Sequence, residues 1–435
     1  MKEIKTVTIV GANGTMGYSV AGVFASFGNC KVYMVARKKE AADKSVLSAA
    51  GTVKADSVSK RLIAKTYEDL AEILPETDLV FESVAENIEI KKEINEKIAK
   101  YIRDDTIVAT GTSGLSIEEL SKTYEGKART RYTGTHFFNP PYQLTLCEVI
   151  PTSVTDKAWL KEYKEYLVKV LRRAVVEIKD EAGFLGNRIG FQLMNEVMQF
   201  AETHKDRGGI DYMDAILGPF SGRALPPIVT VDFVGLDVHK AIVDNLYAKT
   251  KDYAHETFVL PQFVQDQIDK GEMGIKAGAG LYRTIKNDDG AKVRQVYDIA
   301  AKSFRNVKKY DFPFVKKMLN ALKLSDYKNA FDALINDDSE EAKLCLTFML
   351  KYVLYSLATA DAVAEKPGDA DICMATGFNW APPISVIVAL GGADKVKALM
   401  KALITGQWLA KVDLDKLIHN SLEPEYDYRR YFRGR

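Results

Sequence analysis

The most constraining feature of the chain is its opening. A β-branched run at 7–10 passes into Gly11-Ala12-Asn13-Gly14-Thr15-Met16-Gly17 and then into a helical stretch at 18–27. Glycines in a strand-to-helix turn let the backbone approach a pyrophosphate closely, and the helix N-terminus meets its charge. The spacing is G-x-x-G-x-x-G, one residue longer than the usual G-x-G-x-x-G. An ordinary tight turn has the same glycine content, but the strand–turn–helix setting, with a second strand following, favours a dinucleotide. Gly11, Asn13, Gly14, Thr15, Met16 and Gly17 are the candidate contacts.

Further strand-like runs lie at 31–36, 78–84, 106–110, 131–137, 145–150 and 174–178, with amphipathic stretches such as 88–102 and 157–171 between them. This alternation predicts βαβ units and a doubly wound, mostly parallel α/β sheet. After Gly183 the periodicity becomes helical, punctuated by Gly218-Pro219, Leu225-Pro226-Pro227, the glycine-rich 271–280 and Gly391-Gly392. The expected domains are therefore 1–182, 183–285 and 286–435. A faint echo links the last two: Phe233-Val234-Gly235-Leu236 follows one Pro-rich turn, and Thr376-Gly377-Phe378-Asn379-Trp380 precedes Ala381-Pro382-Pro383.

With 60 basic and 59 acidic side chains, the chain lacks the excess charge of a nucleic-acid binder. The apolar stretch 345–360 is shorter than a membrane span and contains Lys351, so a buried helix is expected and no membrane partner. Cys30, Cys147, Cys345 and Cys373 are too widely spaced for a zinc site or a disulfide framework. No metal is expected. Free thiols and a start without an apolar leader point to the cytoplasm.

Two local patterns carry chemistry. The second strand ends Val35-Ala36-Arg37-Lys38-Lys39. NAD binders usually place an acid there for the ribose hydroxyls. Ala36 followed by Arg37 and Lys38 suits a 2′-phosphate and favours NADP over NAD; the alternative is a solvated helix start. In Gly134-Thr135-His136-Phe137-Phe138-Asn139-Pro140-Pro141 a histidine ends a strand beside a Pro-rich turn, and Glu148 follows on the next apolar run. A strand–turn–strand connection brings the carboxylate beside the imidazole, a pair suited to moving a proton during hydride transfer. A structural histidine bonded to backbone is the competing reading.

Six segments, in order, resemble the 3-hydroxyacyl-CoA dehydrogenase family: Thr112-Ser113-Gly114-Leu115-Ser116, His136-Phe137-Phe138-Asn139-Pro140, Glu148-Val149-Ile150, Gly183-Phe184-Leu185-Gly186-Asn187-Arg188, Asp232-Phe233-Val234-Gly235-Leu236-Asp237-Val238 and Gly274-Ile275-Lys276-Ala277-Gly278-Ala279-Gly280-Leu281-Tyr282. The resemblance covers 1–285, and the tail resembles the second helical copy in fused fatty-acid oxidation enzymes, without a hydratase domain. It implies a Rossmann-type domain followed by two all-α, 6-phosphogluconate-dehydrogenase-like domains, the second a divergent copy. It also implies NAD(P)-linked interconversion of 3-hydroxyacyl-CoA and 3-ketoacyl-CoA. His136 would then be the general base and Glu148 its partner, Ser113 would hold the substrate oxygen, and Asn187 would act from the helical domain. Glu86 and Lys91 match positions that contact the cofactor. A capping role for Ser113 and Asn187, and a helix-surface pair for Glu86 and Lys91, are the alternatives.

The chain departs from the family in three further places: Gly111 replaces a usual Asn, the ribose acid is missing, and the excursion between 36 and 65 is shorter. In the family that excursion contacts CoA. Here Lys54, Lys60 and Arg61 are what remains of its basic residues, as a CoA-phosphate contact or a solvated face. The shortening motivates an alternative substrate, a β-hydroxy acid without CoA; a non-catalytic dinucleotide-binding protein is the other alternative. Family members often dimerise through helical domains, and a second copy in one chain can replace the partner's, so a monomer or a homodimer is expected.

Overall fold

The computed structural model describes residues 3–434. It divides into two compact units, Met1–Phe184 with Val363–Glu365, and Leu185–Ala362 with Lys366–Arg435.

In the first unit, β1 (Thr6–Val10), β2 (Lys31–Ala36), β3 (Leu62–Thr66), β4 (Leu79–Glu82), β5 (Ile107–Thr110), β6 (Tyr132–Phe137), β7 (Leu146–Ile150) and β8 (Ala174–Glu177) form one sheet. The order is β3-β2-β1-β4-β5-β6-β7-β8, and only β6 and β7 pair antiparallel. Strand order reverses between β1 and β4, the place where open α/β sheets bind ligands at the strands' carboxyl ends. β3 escaped the sequence reading because Leu62-Ile63-Ala64-Lys65-Thr66 is an edge strand with mostly half-exposed residues. Alternate strand residues Val7, Ile9, Val32, Met34, Leu79, Phe81, Ile107 and Ala109 share a core with Val20, Val23 and Phe24 of the helix Thr15–Ser26 and Trp159, Tyr163 and Leu167 of the helix Lys157–Lys169. That burial is what fixes strand register.

The second unit is built around the helix Gly186–Thr203, whose residues are buried on nearly every face from Gly186 to Met198. The apolar stretch with the internal lysine is the helix Glu340–Val363. By length and composition alone this helix is apolar enough to cross a membrane, yet 72% of its most apolar window is buried in the protein. Lys351 meets the buried Glu196 of the central helix.

Residues beyond 183 are not all helical. β9 (Tyr282–Lys286), β10 (Lys292–Asp298) and β11 (Ser303–Asn306) make an antiparallel sheet in the order β11-β10-β9. The polar Asn287-Asp288-Asp289-Gly290 turns β9 into β10, with Gly290 N donating to Asn287 O at 2.9 Å. Charged residues on the exposed faces of these strands mask their alternation.

Two buried aspartates do the same job in the two halves of this unit. Asp214 accepts the backbone N–H groups of Ile228 and Val229, at 2.8 and 3.1 Å, where the helix Pro227–Val234 begins. Asp371 accepts that of Ile384 at 2.7 Å, where the helix Pro383–Ala389 begins. Each helix begins on the second proline of a Pro-Pro pair, and each carboxylate satisfies a donor that a helix start leaves open. Asp371 also accepts Glu425 N at 3.1 Å. The segment after Glu423 is thereby tied down, and its Phe432 is fully buried against Phe331.

Candidate active site

The register of the antiparallel pair places His136 of β6 directly opposite Glu148 of β7. His136 Nδ1 lies 2.8 Å from Glu148 Oε2, and both residues are buried. An ionised carboxylate only accepts, so in the neutral imidazole Nδ1 carries the proton and Nε2 the lone pair. Ser113 Oγ lies 3.1 Å from Nε2. The imidazole is flanked by Phe138, edge-on at 4.7 Å, and Phe184 at 5.4 Å. A histidine oriented by an acid and facing a hydroxyl is built to take a proton from an alcohol and return it. The backbone-bonded alternative for His136 does not describe this site.

Ser113 is not a helix cap. That part falls to Ser116, whose Oγ accepts Glu119 N at 3.2 Å and donates to Asp180 at 2.8 Å. Ser113 is instead held from behind: its backbone N donates to Glu86 Oε1 at 2.8 Å, and Thr112 Oγ1 donates to the same oxygen. Glu86 and Lys91 are not a surface pair either. Lys91 Nζ is buried, 2.8 Å from Glu82 Oε1 and 3.6 Å from Glu86 Oε2. Glu82 is fully buried at the end of β4 and also accepts Thr110 Oγ1 at 2.8 Å and Val84 N at 2.7 Å. Sequence reasoning missed Glu82, Thr110 and Thr112. The available signal was an acid closing the apolar strand Leu79-Val80-Phe81-Glu82, with a lysine on the inner face of the next helix, Ile88–Ala99.

The glycine turn has the shape a pyrophosphate needs. Gly11 has φ +87°, and a Cβ there would lie 2.5 Å from Ser83 O; a Cβ on Gly17 would lie 2.5 Å from Gly11 O. Only glycine fits at either place. The helix Thr15–Ser26 starts at Gly14 with no side-chain cap, leaving its N-terminus open to an anion, and Asn13 and Thr15 are exposed there with Met16 half-buried. Ala36 is the buried last residue of β2, and Arg37 and Lys38 stand exposed after it. Lys39 pairs with Asp43, whereas neither Arg37 nor Lys38 has an ion-pair partner among the described residues. Between β2 and β3 lie only the helix Lys39–Val53 and the single turn Asp56–Ser59. Arg61 there donates to Ala25 O at 3.2 Å, and Lys54 and Lys60 are exposed.

Gly111 has a local explanation. A Cβ at this position would lie 2.7 Å from the ring of Phe81, which is buried edge-on against Phe137. Asn187 belongs to the second unit, as the second residue of the helix Gly186–Thr203, and is 6% exposed. Among the described residues no group of three or more histidine, cysteine or acidic side chains is placed to hold a metal ion.

Two family models match the chain. The model of the 3-hydroxyacyl-CoA dehydrogenase NAD-binding domain matches residues 6–181, and that of the family's C-terminal domain matches 183–284. A probable 3-hydroxyacyl-CoA dehydrogenase of Bacillus subtilis is 32% identical over 337 residues, covering 76% of this chain and 41% of that protein. One from Deinococcus radiodurans is 31% identical over 303 residues, covering 66% of this chain and 84% of that protein. The crystal structure of 3-hydroxybutyryl-CoA dehydrogenase from Escherichia coli K12 shares the fold over 94% of this chain and 96% of its own, with a TM-score of 0.66 at 20% identity. The chain spans about half the length of the first curated relatives it matches.

Proposed function

The chain belongs to the 3-hydroxyacyl-CoA dehydrogenase family, and from that premise we propose that it interconverts 3-hydroxyacyl-CoA and 3-ketoacyl-CoA with a nicotinamide dinucleotide. The observation that carries this reading is the chain of contacts Glu148–His136–Ser113, a proton-transfer group with its orienting acid and a hydroxyl for the reacting oxygen.

The residues present fit the dinucleotide. Gly11, Asn13, Gly14, Thr15, Met16 and Gly17 would hold the pyrophosphate, Ala36, Arg37 and Lys38 the adenosine ribose, and Glu86 and Lys91 the part nearer the reaction. The bound nicotinamide supplies or accepts hydride. His136 Nε2 takes the hydroxyl proton in oxidation and returns it in reduction. Glu148 stabilises the imidazolium so formed. Ser113 Oγ hydrogen-bonds the same oxygen, and we assign Asn187 a further contact with the substrate from the helical domain. The exposed Arg37 and Lys38 support NADP over NAD, and the four free, buried cysteines support a reducing, cytoplasmic setting. The repeated Asp–Pro-Pro–helix arrangement around Asp214 and Asp371 supports reading 183–285 and 286–435 as two copies of one helical domain, which favours a monomer.

The short excursion between β2 and β3 favours a second substrate reading, a β-hydroxy acid without CoA. Turnover of acetoacetyl-CoA and of free acetoacetate, each with NADH and NADPH, decides between them. The first reading requires turnover of the thioester. Turnover of the free acid alone establishes the second, and no turnover of either would overturn both.

A further inference from the structure

The second unit holds a cavity of about 260 Å³ with Arg188, the neighbour of Asn187 in sequence, and Tyr253, Tyr355, Thr359, Lys411 and Leu417 among its walls. Its acids are already engaged. Asp252 accepts Arg188 Nη2 at 2.7 Å, Tyr355 OH at 2.9 Å and Ala254 N at 2.9 Å. Asp361 pairs with Lys416 at 2.6 Å, and Asp413 caps the helix Leu414–Leu417 through Lys416 N at 3.0 Å.

What remains unpaired is a set of donors. Thr359 is 2% exposed, yet its Oγ1 has no hydrogen-bond partner, and neither has the buried hydroxyl of Tyr253. Burial pushes the Tyr253 phenol well up, so it stays protonated. Lys411 is exposed, and its side chain makes no hydrogen bond or ion pair among the described residues. A hydroxyl buried without a partner destabilises the fold, so a ligand that accepts from these two gains by filling the space. The remaining walls are apolar: Ala358, Ala362, Val412 and Leu417, with the rings of Tyr253 and Tyr355 edge-on at 5.9 Å. The volume falls below the roughly 300–1,000 Å³ of ordinary ligand pockets, which excludes a nucleotide.

We propose that this cavity binds a small organic carboxylate with a short apolar body, its carboxylate on Lys411, Thr359 and Tyr253 and its chain against Val412 and Leu417. The proposal stands independently of the assigned reaction. Trp408, edge-on to Tyr253 at 5.0 Å, is a built-in reporter.

Titration of the full chain with hexanoate, followed by calorimetry and by tryptophan emission, tests it, with hexanol and inorganic phosphate as the other probes. Hexanoate binds saturably, at least tenfold more tightly than either probe. Lys411→Ala, at an exposed position, and Thr359→Val each weaken binding at least tenfold, while His136→Gln leaves it unchanged and Trp408→Phe removes the emission change. No saturable hexanoate binding, equal binding in Lys411→Ala, tighter binding of phosphate, or loss of binding in His136→Gln would each overturn the assignment.

Discussion

Lys91 Nζ lies 2.8 Å from Glu82 Oε1, and the two side chains are 1% and 0% exposed. Lys91 also reaches toward Glu86, which holds the backbone of Ser113. A buried ion pair therefore stands behind the hydroxyl that faces His136. Removing one member leaves the other charged and unpaired, at a cost of about 3–5 kcal/mol. Glu82→Gln should lower the urea midpoint accordingly and weaken dinucleotide binding, measured by fluorescence titration. A stability change under about 0.5 kcal/mol would show that the pair is not set as described.

Arg37 is exposed and without an ion-pair partner among the described residues, beside a β2 end that carries alanine. A charge-assisted hydrogen bond contributes about 1.5–3 kcal/mol, or roughly ten- to a hundredfold in affinity. Arg37→Ala should weaken NADP binding by that factor and leave NAD binding within about threefold, and Ala36→Asp should turn the preference toward NAD. Equal loss of both cofactors on Arg37→Ala would remove the 2′-phosphate role.

Gly111 and Phe81 are matched. Gly111→Asn pushes a Cβ into a ring at 2.7 Å, and overpacking of this kind costs about 1–3 kcal/mol. Combining it with Phe81→Val should cost less than the sum of the single losses by about 1 kcal/mol, read from denaturation of all four proteins in the cycle. Additive losses would show that the two side chains do not compete for the same space.

Burial raises the carboxyls of Asp214 and Asp371 to about 7 and that of Asp232 to about 6, against the lowering effect of the backbone N–H groups each accepts. The folded protein thus binds these protons more tightly than the unfolded chain. Their contribution to stability is greatest below pH 4 and falls as pH rises toward 7, by on the order of 1 kcal/mol per pH unit for each carboxyl titrating in that interval. Melting temperature should therefore drop between pH 5 and pH 7.5. Asp371→Asn should melt lower at every pH, because its amide cannot accept both N–H groups, but with a shallower slope. An unchanged slope would contradict this origin.

Much of the fold was legible because its signals are local. β-Branched runs and the glycine turn mark β1, β2 and the helix between them, and the histidine and glutamate fall on strands joined by one turn. β3 was not legible because it is a short edge strand of mostly half-buried residues, and β9–β11 because charged, exposed residues break their pattern. The glycines at 274 and 280, noticed as family motif, have a packing reason that spacing cannot show. A Cβ on either would meet Asp232, at 2.3 Å from its backbone or carboxylate oxygen, and that carboxylate accepts Leu281 N and Tyr282 N at 2.7 Å. Glu82, Thr110 and Thr112 stayed hidden for a related reason: their roles exist only once β4 and β5 lie side by side.

The central claim is that His136, held by Glu148, moves the proton. Steady-state reduction of acetoacetyl-CoA by His136→Gln, with cofactor affinity measured on the same protein, tests it most directly. General acid–base catalysis contributes about 10²–10⁴-fold, so kcat should fall by that range while dinucleotide affinity stays within about twofold. Turnover at the wild-type rate in this variant would contradict the account.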